Sequence, residues 1–148
     1  MNNRGFVFTG FAFLLVIPAL ILAASFFNML KLGSEAASIA ATSGAVFYAY
    51  DNIRASFEET ADNLVLKYGN NAQAIENELA AWRASITGNY STRLGLNVTI
   101  GSIGAKKEGN VMKIGKDGSE GSGIPLQINS LDNKIILSRE LDPLQIPI

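Results

Sequence analysis

The residues that could do chemistry in this chain are few, and none of them is a histidine or a cysteine. Their absence removes thiolate nucleophiles, imidazole bases and the usual zinc and haem ligands together. The stretch DGSEGSG, residues 117–123, places two acidic side chains in a glycine-rich loop. A calcium loop of the EF-hand kind needs regularly spaced oxygen ligands and a closing Glu, and this stretch has neither. Glu58-Glu59 offers two carboxylates, yet adjacent residues of a helix do not converge on one point. The segment GSIGAKKEG, residues 101–109, lacks the Gly-Lys-Ser/Thr of a phosphate loop. These residues predict no catalytic site, no metal and no cofactor, and so a protein that is not an enzyme.

Two short motifs do match a mechanism. Asn89-Tyr90-Ser91 and Asn97-Val98-Thr99 both fit the N-glycosylation acceptor pattern. Plain polar residues of a loop and a strand would look the same. The formal net charge of −1 and the pI of about 5.4 carry no electrostatic footprint for nucleic acid.

The elements that position these residues begin with a hydrophobic segment. From Gly5 to Leu30 there is no ionisable side chain. At about 1.5 Å of rise per residue, such a run crosses a hydrocarbon core of roughly 30 Å. Apolar residues surround the helix with no polar face, which argues against the core helix of a soluble protein. Arg4 and the terminal amine precede the segment, while Lys31 and Glu35 follow it, so the positive-inside rule favours a cytoplasmic N-terminus. Removal by an ordinary signal peptidase would need a small-x-small site. Leu22 stands where a small residue should precede Ala23-Ala24, and the apolar run continues beyond them.

Beyond Glu35, residues 36–50 (AASIAATSGAVFYAY) again carry no charge. Small residues recur four apart, with Gly33, Ala37, Ala41 and Ala45 on one strip and Ala36, Ala40 and Gly44 on its neighbour. Such strips let helix backbones approach closely. Alanine-rich composition alone would also follow from helix propensity, but a solvated helix normally carries charges on its outer face. From Asp51 the pattern turns amphipathic: Ile53, Phe57, Ala61 and Leu64 form a stripe between Tyr50 and Tyr68, and Gly69 ends it. The sequence thus predicts leader residues 1–5, a hydrophobic helix over 6–50 and a head domain over 51–148. In that head a second helix spans 71–87, capped by Asn71, facing inward with Ile75, Leu79, Trp82 and Ile86, and stopped by Gly88. Alternation at Leu94, Leu96, Val98 and Ile100 opens a small antiparallel sheet over 94–140, with further strands at 111–114, 124–128 and 134–138. Residues 142–148, DPLQIPI, read as an extended tail. The fold class is α+β.

Arg4-Gly5-Phe6, followed at once by a long apolar helix, resembles the class III signal of type IV pilins and archaeal pilin-like proteins. The resemblance covers about the first half of the chain, together with the plan of a long helix and a small strand-rich head. It implies that a prepilin peptidase cuts between Gly5 and Phe6, leaving Phe6 as the mature N-terminus. Bacterial pilins usually place a Glu at the fifth mature position, where this chain has Gly10; archaeal members often lack it, which favours an archaeal source. The resemblance further implies storage in the cell membrane, partnership with the pilus assembly machinery, and polymerisation of identical subunits into an extracellular filament for adhesion or surface attachment. Lys31 and Glu35, four apart, could pair within one helix or across subunits. The alternative reading is a single-span protein with a fixed anchor and an external binding or accessory domain, a minor pilin lying between the two.

Overall fold

A computed structural model describes residues 4–118 and 122–148, with side chains described from Val16 onward except that of Asp117. The chain divides into two compact units, Met1–Ala40 and Ala41–Ile148. One helix, α1 (Arg4–Tyr68), begins in the first and ends in the second, and Pro18 lies inside it. Residues 1–3 of the expected leader lie outside the described residues.

From Val16 onward the first unit's part of α1 stands bare. Every side chain from Val16 to Ala40 is exposed, including Leu20, Phe26, Phe27 and Leu32. The second unit is a packed α+β head. Its share of α1 buries Val46, Ala49, Ile53, Phe57, Ala61, Leu64 and Val65, a stripe with helical spacing. The expected stripe therefore forms, and the head's core also reaches back to Val46 and Ala49, ahead of the change in polarity at Asp51.

Gly69, with φ of 55°, turns the chain out of α1, and its N–H donates to the Val65 carbonyl at 2.8 Å. Asn71 then caps α2 (Ala72–Leu94), its side chain accepting from the Ala74 N–H at 3.1 Å. α2 packs Ile75 and Leu79 into the core, with Trp82, Ile86 and Tyr90 half-buried behind them. The helix does not stop at Gly88. It runs six residues further, and the turn into the left-handed region comes at Gly95, φ 62°. A glycine inside a helix costs about 1 kcal/mol relative to alanine, too little to end one whose next turn still packs through Tyr90.

The strands form two sheets rather than one. Sheet A orders β1 (Leu96–Ile100), β4 (Ile124–Ser130) and β5 (Ile136–Leu141) as β1-β4-β5. Sheet B orders β2 (Gly104–Glu108), β3 (Val111–Gly115) and β6 (Leu144–Pro147) as β2-β3-β6. All pairings are antiparallel. The chain crosses between the sheets three times: from β1 to β2 through residues 101–103, from β3 to β4 after Gly115, and from β5 to β6 at Asp142-Pro143. Leu96, Val98 and Ile100 face the core as their alternation predicts, joined by Ile124, Leu126, Ile128, Met112, Ile114 and Leu141. Leu94 is exposed at the end of α2 instead of starting the strand.

Each flank of sheet B has one rung that is capped or lacks a donor. On β2 the Ala105 N–H donates to Glu76 Oε1 of α2 at 2.8 Å. On β6 the Ile148 N–H donates to the Asn110 carbonyl at 2.9 Å. Backbone bonding alternates along an antiparallel pair, so Leu144 and Ile146 also turn their backbone groups toward β3. Gln145 and Pro147 then face outward, and Pro147 has no N–H to present there.

Candidate functional site

The feature that stands out chemically is a surface without chemistry. The first-unit part of α1 is rich in Leu, Ile, Val, Phe and Ala, good helix formers or tolerated ones, and its exposed stretch from Val16 to Leu30 carries no charge. α1 is the one helix among the described residues long and apolar enough to cross a membrane. Lys31 and Glu35 are the charged residues between Val16 and Ala40, and both are exposed. Among the described residues they form no ion pair with each other, so the intrahelical bridge that their spacing permits is not made.

The small residues sit where the sequence places them. Gly33, Ala36, Ala37, Ala40, Ala41 and Gly44 are exposed and Ala45 is half-buried. A methyl group added at Gly33 or Gly44 would meet nothing within 4 Å. Past them, Phe47 and Tyr48 point outward at 51% and 66% exposure, while Val46 and Ala49 turn into the head. The uncharged stretch of residues 36–50 therefore has two destinations, one face for the head's own core and the rest uncovered. Arg4, Gly5 and Phe6 lie in the first turns of α1, and their side chains are outside the described residues.

Several of the head's charged groups are tied into structure. Arg54 bridges Glu58 at 3.1 Å and Asp142 at 3.0 Å, fastening α1 to the β5–β6 corner. The hydrogen bond to Glu58, then the Asp142 charge, raise the guanidinium's pKa. Tyr68 donates to Glu78 Oε1 at 2.8 Å, and Trp82 Nε1 donates to Ser56 Oγ at 3.0 Å. Glu58 is thus a structural partner of Arg54. Among the described residues no cluster of three or more acidic side chains could hold a metal ion, and Ser119–Gly121 of the DGSEGSG loop lie outside them. The glycosylation acceptors sit in regular structure: Asn89 on the exposed side of α2, its amide donating to Ser85 Oγ at 3.3 Å, and Asn97 exposed on β1 opposite Asn129.

One element of the surface escaped the sequence reading. The extra turns of α2 carry Asn89, Tyr90, Arg93 and Leu94 around a hollow of about 210 Å³ lined by apolar atoms. The i, i+4 spacings 89/93 and 90/94 were there to be read, but a helix ended at Gly88 turns them into loop residues. Comparison with protein-family models, with curated proteins and with solved structures finds no match to this chain.

Proposed function

We propose that the chain is the structural subunit of an extracellular filament of the type IV pilin kind, polymerising through α1 after leader cleavage between Gly5 and Phe6. The observation that carries this reading is the bare helix. From Phe6 to Ala40 it is about 52 Å long at 1.5 Å per residue, against roughly 30 Å of hydrocarbon. Lipid covers the first part and leaves about 20 Å of nearly uncharged surface in need of another partner. Identical helices bundled together would bury it, at about 25 cal/mol per Å² of apolar area removed from water. The same segment then serves in lipid, with its N-terminus cytoplasmic, and afterwards in a protein core. The head is presented outward for adhesion or surface attachment, and Asn97, exposed on an extended strand, suits a glycan better than Asn89 inside α2.

The competing reading is a permanently anchored protein with an external accessory domain. It draws support from the head, whose buried hydrophobic residues all lie within 41–148. N-terminal sequencing of the surface protein separates the two. A mature chain starting at Phe6 supports the filament, and an intact Met1 in the membrane fraction sinks it. Replacing Ala40 and Gly44 with Leu on the exposed surface should abolish filaments while leaving membrane insertion unchanged; wild-type filament yield would refute the packing argument.

A further inference from the structure

The hollow on α2 has the shape of a helix-packing groove. Asn89–Arg93 and Tyr90–Leu94 are two neighbouring i, i+4 ridges, and the space between them is where a ridge of a facing helix lies in ridges-into-grooves packing. At about 210 Å³ it falls short of the usual range of small-molecule sites, about 300–1,000 Å³, and no polar atom lines it to orient such a ligand. It has room for an apolar side chain. Leu94 at its edge is 53% exposed, and Leu131, 72% exposed, packs beside Gly95 just beyond. Arg93 is exposed on its rim and enters no ion pair among the described residues.

The chain carries a matching ridge. Glu35 and Ile39 are four apart on α1 and both exposed, Ile39 at 50%. Glu35 is the acidic residue of the uncovered helix, and among the described residues it also lacks an ion pair. A carboxylate one turn from an exposed isoleucine complements an arginine on the rim of an apolar hollow. We infer that the α2 groove receives α1 of a second copy of this chain, with Ile39 seated between Tyr90 and Leu94 and Glu35 paired with Arg93. The inference rests on the filament reading and adds to it a contact between the head of one subunit and the helix of the next. Apolar contact supplies the attraction, and the ion pair, desolvated on assembly, sets the register along an otherwise featureless helix.

The absence of cysteine makes the test clean. Cells co-expressing Ile39→Cys and Leu94→Cys chains should give filaments that yield a disulfide-linked dimer on oxidation, with none from filaments of either variant alone. In parallel, Arg93→Glu and Glu35→Arg should each lower filament yield at least tenfold, and the combined variant should recover most of it. Trp82 emission confirms that the head of each variant is folded. Filaments without the mixed dimer, or an Arg93→Glu chain assembling at wild-type yield, overturn the groove contact while leaving the filament reading intact. A wild-type chain that makes no filament overturns both.

Discussion

Replacing Phe57 with alanine is the most direct test of how the head is built. Phe57 is 1% exposed, and its ring lies 5.7 Å from that of Trp82 at an interplanar angle of 47°. Trp82 is in turn held by its hydrogen bond to Ser56, one residue before Phe57. The substitution empties a site between α1 and α2 that neither helix can close without losing its other contacts. Phe→Ala changes in cores cost about 3–5 kcal/mol, and the lost aromatic pairing places this one toward the upper end. A domain the size of residues 41–148 is stable by about 5–15 kcal/mol, so a third or more of the total goes. At about 4–8 °C per kcal/mol, the melting temperature drops by about 12–40 °C. Thermal unfolding of the full chain in detergent, followed through the emission of Trp82, the chain's single tryptophan, reads this in the head alone. A loss below about 1 kcal/mol with unchanged Trp82 emission would refute the packing described for this site, given the range for core truncations.

Four further outcomes are expected. Gly95→Ala should destabilise the head by about 1–2 kcal/mol, because its φ of 62° is unfavourable for a β-carbon that would also press Leu131 Cδ1 at 3.2 Å. Gly88→Ala, with nothing within 4 Å in the interior of α2, should stabilise it by about 0.5–1 kcal/mol; equal effects in urea unfolding would contradict these helix boundaries. The head should weaken in acid. Hydrogen bonding and charge from Lys113 hold the Glu108 carboxyl below its usual range, while the Ser130 hydroxyl and the Lys134 N–H do the same for Asp132. A depressed folded-state value gives stability that is present above the unfolded value of about 4 and lost as pH falls through the folded one. Glu108→Gln with Asp132→Asn should therefore flatten the fall in melting temperature below about pH 4, and a wild-type-like fall would exclude these two groups as its cause. Residues 41–148 produced without the rest of the chain should unfold cooperatively without detergent, and non-cooperative melting would show that the first unit is needed for the fold.

The features readable from sequence were those governed by one dominant signal. The apolar length of α1, its amphipathic continuation at Ile53, Phe57, Ala61 and Leu64, the Asn71 cap and the alternation of β1 each follow from a single strong pattern. What was lost depended on tertiary context. β2, with Lys106, Lys107 and Glu108 all exposed, has no alternation because only its first two residues reach the core. β6 hid between two prolines, of which Pro147 lies in the strand and is tolerated because its nitrogen faces away from β3. The end of α2 was misplaced because Gly88 and Gly95 are the same residue type, and only the backbone angle distinguishes a passenger from a stop. That error concealed the hollow at Tyr90 and Arg93.

The edges of sheet B bear on a hazard that every protein with exposed strands faces. In the membrane-held precursor proposed above, heads would be confined to two dimensions at high local density. Exposed strand edges at such density invite a rival polymer, the stacked sheet of an amyloid fibre, which does not return its subunits. Glu76 on the Ala105 N–H and the outward-facing Pro147 each take one rung away from that growth. A proline in the last strand thus works against edge-to-edge growth at that end of sheet B, whatever partner the exposed helix takes.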